Sequence, residues 1–414
     1  MKQHLVPSAL YLALAAALAG PALAQEAPGT AITVNPRELP APYATPSATN
    51  GPRIIPRPSG AGLQVPENFK AQVFADNMLH PRNIAIAPDG AVMVAESTAG
   101  QISILRDENG DGRADRANAF MTGLNRPFGM AFQGNTLYVA DTEGVWRASY
   151  RAGQQAPTSP PQRITASGAL GSGTGHSTRS LAFNATGDRF YVGVGSRSNV
   201  EEEEAPRASI ISFAADGSDR RLVASGLRNP VGMAIYPETD RLWTVVNERD
   251  GLGDGLVPDY LTQVAPGAFY GWPYAYLGPN PQPGFAERRP DLVAKTQMPD
   301  LLFRAHSAPI GLVFYDARMF PAEMRGDAFV ALRGSWNAGS PRGYQIVRVP
   351  FANGRPKGGY EVFASGFRTG GTERAEVWGR PAGLAVAADG ALLIADDTSR
   401  TIWRVSYTAP ARRN

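Results

Sequence analysis

One histidine lies in a stretch whose residue types are suited to acid–base chemistry. Residues 173–183 read GTGHSTRSLAF, and an alternating strand pattern over residues 189–194 follows directly. Imidazole changes its charge near neutral pH, and a general base has to be held on a defined loop close to its substrate. His176, on a glycine-rich loop before a strand, is therefore the candidate catalytic base.

A second stretch carries carboxylates and glycines. Residues 247–261 read NERDGLGDGLVPDYL and follow a predicted strand over residues 242–246. Carboxylate and carbonyl oxygens on such a loop suit Ca²⁺, which takes about six to eight oxygen ligands. A solvated loop whose aspartates cap turns explains the same pattern equally well.

A third stretch, DENGDGRAD at residues 107–115, repeats oxygen-bearing side chains at alternate positions. Asp107, Asn109 and Asp111 are spaced like the start of a calcium loop and make a candidate structural calcium site. The distal glutamate of such loops is absent, although Asp115 could replace it. A tight polar hairpin between two strands is the alternative interpretation.

Two tryptophans follow glycines in loop-like sequence. Trp272 lies in YGWP and Trp336 in GSWN. An indole in either place could stack on a planar ligand or a sugar, although core packing is the usual role of a tryptophan.

Several classes of chemistry receive no support. The chain contains no serine nucleophile elbow, no phosphate-binding P-loop and no dinucleotide fingerprint. It has no cysteine, which excludes disulfides and a covalently attached haem. Any electrons removed from a substrate must therefore leave through a separate carrier.

The candidate stretches belong to a repeated unit. Each copy has a polar element, a small residue, an apolar run, a turn and a strand, and the copies begin near Pro81, Arg126, His176, Arg228, Ser307 and Arg380. Residues 66–410 give about 57 residues per copy, somewhat above a four-stranded propeller blade, with insertions near 250–305 and 351–379. The pattern predicts an all-β fold, a six-bladed β-propeller; a large β-sandwich is the weaker alternative.

A propeller brings equivalent loops of all blades to one end of its axis. The polar elements would then collect there, mostly as cations: Arg82, Arg126, His176, Arg179, Arg228 with Asn229, and Arg380. Such an excess of positive charge in one cleft predicts a polyanionic ligand. The alternative is that each arginine caps the turn of its own blade.

Composition and the chain ends set the context. Of 414 residues, 43% are hydrophobic and 19% charged, and the net charge of +3 is too small to indicate nucleic acid. Residues 1–24 are typical of a cleaved bacterial signal peptide, which predicts a periplasmic protein without a membrane span. Residues 25–65 are a proline-rich N-terminal arm.

Taken together, the motifs resemble the soluble pyrroloquinoline-quinone (PQQ) sugar dehydrogenases, in the sorbosone dehydrogenase-like branch. The resemblance covers residues 38–407 and rests on GHSTR around His176, GLRNP around Arg228, the loop at 248–261, YGWP at 270–273 and RGSWN at 333–337. It implies a six-bladed propeller with PQQ, a planar tricarboxylate, at one end of the axis.

The resemblance also implies roles. His176 would be the general base, and Arg228 and Asn229 would bind the reactive quinone carbonyls. Glu248, Arg249 and Asp250 would hold a Ca²⁺ on the quinone, partly through backbone oxygens. The remaining cofactor-binding cations would be Arg126, Arg179, Arg333 and Arg380.

Two positions depart from the family pattern. The branch more often has histidine where this chain has Arg333, and asparagine is followed by Ala338 instead of arginine. Glucose-oxidising members have aspartate directly before the catalytic histidine, where this chain has Gly175. Loss of that carboxylate removes an expected substrate contact, so glucose is not implied as the substrate.

These features predict a PQQ-dependent dehydrogenase that oxidises a sugar or sugar-derived aldehyde to a lactone or acid. It would contain PQQ and Ca²⁺ and pass electrons to a separate soluble or membrane-bound acceptor. Two alternatives stay open: a six-bladed calcium-dependent lactonase, and a non-catalytic propeller that binds a glycan or protein.

Overall fold

The computed structural model of the protein describes residues 25–410. The predicted signal peptide, residues 1–24, lies outside this range. Over the described residues the chain is nearly all β, with one α-helix, Pro290–Lys295, and three short 3₁₀ helices, Pro36–Glu38, Ala286–Arg288 and Ala322–Met324. No helix in this part of the chain has the length and apolar character needed to cross a bilayer.

Most strands form six antiparallel sheets of four or five strands, numbered here along the chain. The first strand given for each sheet is called its innermost strand, because it contacts the neighbouring sheets. Sheet 1 contains Pro81–Ile86, Val92–Glu96, Gln101–Arg106 and Arg116–Met121. Sheet 2 contains Gly129–Gln133, Thr136–Ala140, Val145–Ser149 and Gln162–Arg163. Sheet 3 contains Arg179–Phe183, Arg189–Val194, Ser209–Ala214 and Arg221–Ser225.

The other three large sheets follow the same plan. Sheet 4 contains Pro230–Ile235, Leu242–Val246, Pro258–Gln263 and Leu301–Ala305. Sheet 5 contains Pro309–Phe314, Ala328–Leu332, Gln345–Val349, Tyr360–Ala364 and Ala31–Ile32. Sheet 6 contains Pro381–Val386, Leu392–Asp396, Thr401–Tyr407 and Phe69–Ala75.

Three smaller sheets complete the strands. They are formed by Arg53–Ile54 with Glu376–Val377 and Arg368–Gly370, by Ala275–Tyr276 with Asn280–Pro281, and by Phe351–Ala352 with Arg355–Pro356. The predicted strand pair of every repeat is present as the first two strands of a large sheet.

The six innermost strands lie side by side in a ring. Each contacts the innermost strand of the next sheet, and Pro381–Val386 of sheet 6 contacts Pro81–Ile86 of sheet 1. Sheet 6 joins the two ends of the chain, because Phe69–Ala75 pairs antiparallel with Thr401–Tyr407. The loops that precede the innermost strands consequently lie close to one another.

The small residue of each repeat has a packing role. At Gly383 an added Cβ would lie 2.5 Å from the Cα of Asn83 and 2.8 Å from the carbonyl oxygen of Arg82, and at Gly311 it would lie 2.2 Å from the carbonyl oxygen of Ala382. Glycine therefore lets neighbouring innermost strands approach backbone to backbone. Outward from the ring the sheets bury continuous apolar strands, such as Val92–Glu96 and Ala328–Leu332.

The proline-rich arm packs along sheets 5 and 6. Ala31–Ile32 adds an edge strand to sheet 5 by pairing with residues 360–361, and Arg53–Ile54 pairs in parallel with Glu376–Val377. Between these two points the amide of Asp254 donates to the Thr45 hydroxyl, and the side chain of Asn50 donates to the carbonyl of Ala338. The arm therefore braces loops of the large sheets.

Substitution of a ring glycine should destabilise the fold. Gly383→Ala places a methyl group against the backbone of Asn83, and we expect the free energy of unfolding to fall by about 1–3 kcal/mol, the usual cost of overpacking. Chemical denaturation measures this change. Gly62→Ala is the control, since an added Cβ there meets nothing within 4 Å; equal stability of the two variants would contradict the packing argument.

Candidate functional site

A polar cavity of about 360 Å³ opens among the loops that precede the innermost strands. Four arginines line it, together with the predicted base and several carboxyl groups: Arg82, Arg228, Arg333, Arg380, His176, Glu248, Asp250 and Asp259. The wall also includes Asn229, His306, Trp336 and Asn337. The predicted convergence of polar turns at one end of the ring is thus present in the structure.

His176 is fixed in one tautomer. Its Nδ1 lies 2.8 Å from the carbonyl oxygen of Ser196, and a carbonyl can only accept, so Nδ1 carries the proton. Nε2 is then the basic nitrogen, and it has no hydrogen-bond partner within residues 25–410. Burial and the nearby Arg228 guanidinium lower the pKa of His176 to about 4. The ring is neutral at pH 7 and can accept a proton at Nε2.

The guanidinium of Arg228 is held by a clamp of oxygens. Its Nη1 donates to the carbonyl of Glu248 at 2.7 Å, and its Nη2 contacts a carboxylate oxygen of Asp250 at 3.3 Å. Asn199 accepts twice from the same guanidinium, through its carbonyl at 3.1 Å and its side-chain oxygen at 3.0 Å. Arg228 therefore has a fixed position beside His176.

Asn199 forms hydrogen bonds with three residues: Arg228, Asp250 and Trp272. Besides holding Arg228, it accepts from the amide of Asp250 at 2.8 Å and donates to the carbonyl of Asp250 at 2.8 Å. Its carbonyl also accepts from the indole of Trp272 at 2.9 Å. Trp272 is thus a buried structural residue, whereas Trp336 is 49% exposed and lines the cavity.

Three of the arginines surround one buried carboxylate. Arg333 contacts Asp397 at 2.7 Å, and Arg82 donates to the same carboxylate. Although burial opposes ionisation, Arg82 and Arg333 hold the pKa of Asp397 well below its usual range. Burial and repulsion from Arg333 lower the pKa of Arg380 to about 10. One carboxylate does not balance these three arginines, so this side of the cavity attracts anions.

Backbone oxygens of the predicted calcium segment, residues 248–250, already accept hydrogen bonds from arginines. The Glu248 carbonyl accepts from Arg228, and the Asp250 carbonyl accepts from Arg249 at 2.9 Å. Glu248 is buried, one of its carboxylate oxygens has no partner, and burial raises its pKa to about 7. Burial likewise raises the pKa of the neighbouring Asp259 to about 6.

These groups do not form a cation cage. No cluster of three or more His, Cys, Asp or Glu suited to a metal ion occurs in the described part of the chain.

The loop at 107–115 folds on itself. The Asp107 carboxylate accepts from the amides of Gly110 and Gly112, each at 2.8 Å. The side-chain oxygens of Asn109 and Asp111 accept from amides two residues further on, again at 2.8 Å. These side chains close a polar hairpin at the end of sheet 1, and the metal site predicted there stays untested.

Two predicted cofactor arginines lie outside the main cavity. Arg179 is fully buried and donates to the carbonyls of Leu170, Ser172, His176 and Thr178. It supports the His176 loop from behind. Arg126 lines a smaller adjoining pocket that shares Arg82 and Thr178 with the main cavity.

His306 and Asn337 also line the cavity, although neither was among the predicted site residues. The Asn337 amide donates to Asp250 at 2.5 Å and lies 3.1 Å from Nδ1 of His306. His306 and Ala308 have φ values of 66° and 55° just before Pro309. The sequence signal that could have drawn attention to His306 is its position directly before Ser307, where the fifth copy of the repeat begins.

Gly175 cannot be replaced by aspartate without rearrangement. Its φ is 72°, and an added Cβ would lie 2.3 Å from the Cα of Arg197. The family's carboxylate before the catalytic histidine is therefore sterically excluded from this loop.

The ionisation of His176 can be measured directly. We expect His176 to carry hydrogen on Nδ1 at pH 7 and to become protonated only near pH 4, because burial and Arg228 disfavour the cation. Long-range ¹H–¹⁵N NMR of the ring nitrogens checks both points, with His176→Gln to assign the signal. A midpoint near the usual pH 6.5 would contradict the described environment.

Loss of the Asn199 clamp should alter Arg228 and, through it, His176. In Asn199→Ala we expect unfolding to become easier by about 1–2 kcal/mol, since the side chain loses one hydrogen bond from the Arg228 guanidinium and two with the backbone of Asp250. The protonation midpoint of His176 should move upward, because Arg228 is no longer held beside it. Asn280→Ala, which removes amide contacts to residues 276 and 277 on a surface hairpin, is the matched control and should leave that midpoint unchanged.

The sequence is similar to a known protein family and to several individual proteins. The sequence matches the TrAA12-like family over residues 63–257 and 289–408. A protein of Borreliella burgdorferi that bears no functional name is 26% identical over 357 residues, which cover 83% of this chain and 91% of that protein. The pyrroloquinoline quinone-dependent pyranose dehydrogenase of Coprinopsis cinerea is 24% identical over 334 residues, which cover 70% of this chain but 45% of the relative.

The fold is shared with solved structures. The PQQ domain of pyranose dehydrogenase from Coprinopsis cinerea, in its holo form, superposes with a TM-score of 0.70 at 19% identity, covering 85% of this chain and 98% of that domain. This agrees with the all-β architecture of the described residues. The chain belongs to the TrAA12-like family, and its resemblance to the soluble PQQ-dependent sugar dehydrogenases is confirmed.

Proposed function

We propose that the protein is a PQQ-dependent dehydrogenase that oxidises a sugar or sugar-derived aldehyde to a lactone or acid. The observation that carries the proposal is the cavity itself, in which four arginines and a neutral histidine face one another. The six large sheets are, in this proposal, the six blades of a propeller with the site at one end of its axis. Export to the periplasm, proposed from residues 1–24, is testable by cell fractionation.

The residues present fit PQQ. A planar tricarboxylate needs cations at its edge and an aromatic or apolar surface at its face. Arg82, Arg333 and Arg380 supply an excess of positive charge around a single carboxylate, and the half-exposed Trp336 supplies an indole. The side-chain oxygen of Asn229 is buried without a partner and can accept a hydrogen bond from a donor on the cofactor or on the substrate.

Each residue then has a defined task. PQQ, when bound, would accept the hydride that leaves the substrate carbon and pass the electrons to a separate soluble or membrane-bound acceptor. His176 would take, at Nε2, the proton of the hydroxyl on the carbon that is oxidised, since Nδ1 is occupied by the Ser196 carbonyl. For an aldehyde this hydroxyl belongs to its hydrate, formed by addition of water. Arg228, held by Asn199 and Asp250, would stabilise negative charge that develops next to it.

Calcium remains a prediction. In the described residues one oxygen of Glu248 is unpartnered and no group of three or more His, Cys, Asp or Glu suits a metal ion, so no step is assigned to the ion. If calcium is required, it binds with the cofactor. PQQ titration with and without a calcium chelator distinguishes these cases.

The alternatives fit the cavity less well. A lactonase that activates its substrate with Ca²⁺ would hold the cation beside four guanidiniums with no polyanionic cofactor to offset their repulsion. A propeller that only binds a glycan or protein would not require His176 to be held in one tautomer. Lactone hydrolysis without PQQ would support the first alternative, and sugar binding without turnover the second.

The proposal is tested by reconstitution. Purified protein is titrated with PQQ by absorbance, and dye reduction is then followed with a panel of aldoses and sorbosone. Absence of PQQ binding would remove the cofactor from the proposal.

Within this assay His176 should matter for turnover and not for cofactor binding. We expect His176→Gln to bind PQQ with unchanged affinity and to lose about 10²–10⁴-fold in kcat, the usual contribution of a general base. Wild-type activity should also decline as the pH falls towards 4, where His176 becomes protonated. Full activity of the variant would show that another group accepts the proton.

A further inference from the structure

A second, smaller pocket of about 140 Å³ adjoins the main cavity. Arg82, Ser177 and Thr178 line both, so the two spaces meet directly beside His176. The smaller pocket is closed by His80 and Arg126, the residues that precede the innermost strands of sheets 1 and 2. A molecule that reacts at His176 can therefore extend into it.

The pocket is cationic and lacks an acid of its own. Its lining contains Arg82 and Arg126 but no carboxylate, and Asp397, which contacts Arg82, is shared with Arg333. The guanidinium of Arg126 has no hydrogen-bond or ion-pair partner among residues 25–410. The charge of Arg126 is consequently unpaired, whereas Asp397 offsets that of Arg82 and lies 3.9 Å from Nε2 of His80.

One further polar group in the lining of this pocket has no partner among the described residues. The hydroxyl of Thr178 is buried and makes no hydrogen bond. A buried polar group is normally paired, so an unpaired one beside a cavity indicates a ligand contact.

The backbone around the pocket is unusual as well. His80 has φ 94° and Arg126 has φ 54°, and each precedes a proline. Left-handed backbone at residues other than glycine is costly and concentrates at functional sites.

We propose that this pocket binds an anionic group, a carboxylate or a phosphate, at the end of the sugar substrate remote from the carbon that is oxidised. The inference rests on the proposed function and names its substrate class: acidic sugars. Arg126 forms the ion pair, and the Thr178 hydroxyl donates a further hydrogen bond. A guanidinium can make two parallel bonds to either anion.

Matched sugars test the proposal with the PQQ-loaded enzyme. Glucuronate and galacturonate differ from glucose and galactose by a carboxylate at the remote carbon, and glucose 6-phosphate carries a phosphate there. We expect kcat/KM for an acidic sugar to exceed that for its neutral partner by about tenfold or more, the value of a hydrogen-bonded charge pair. Preference for the carboxylate or the phosphate identifies the anion.

Substitution of Arg126 localises the effect. Arg126→Gln should remove this preference by raising KM for the acidic sugar far more than for its neutral partner. Arg126→Lys should restore part of the preference. Arg113→Gln, an exposed arginine on the 107–115 hairpin, is the control and should behave as the wild type.

Two results would overturn the proposal. An unchanged preference in Arg126→Gln would show that the pocket does not recognise the anion, and weaker PQQ binding in that variant would assign the pocket to the cofactor.

If no sugar is oxidised, the proposed function is wrong. Anion binding in the smaller pocket is then tested by calorimetric titration of the protein with glucuronate alone. Arg126-dependent binding supports the subsite, and absence of binding overturns it.

Discussion

The site depends on one carboxylate that holds two guanidiniums. Asp397 follows the second strand of sheet 6, and its neighbour Asp396 fixes that turn by accepting from the amides of Arg380, Thr398 and Ser399. Arg82 comes from sheet 1 and Arg333 from sheet 5, so Asp397 ties three sheets together across the end of the ring. Without it, buried guanidiniums would repel one another at close range.

A second set of contacts fixes the groups around His176. Asn199 and Asp250 fix Arg228, and Arg228 in turn helps to keep His176 neutral. A neutral imidazole with a low pKa is a weak base, yet it is fully in the form that can accept a proton at pH 7. That combination suits a reaction in which proton removal accompanies a hydride loss that the cofactor drives. The protein then has mainly to orient its groups and supply charge.

The sequence predicted the fold well because the repeat is local. Each polar turn, small residue and strand pair is encoded within one segment, and the ring follows from stacking six such segments. The same periodicity predicted that Arg82 and His176 share one cavity, as the structure shows. Contacts between distant segments escaped prediction, because no local pattern encodes them. Asn199 lies in a charged loop with no motif, and its value comes from meeting Arg228 and Trp272 after folding.

The lack of a side chain at Gly175 has a steric cause and bears on which substrates the site can accept. Its left-handed backbone and the close approach of Arg197 leave no space for the carboxylate that glucose-oxidising members place before the base. A carboxylate there would accept hydrogen bonds from sugar hydroxyls and repel an anionic substrate. Glycine removes both effects, while Arg126 and Arg82 on the neighbouring loops add positive charge. Under the proposed function, both differences would favour an acidic sugar over a neutral one.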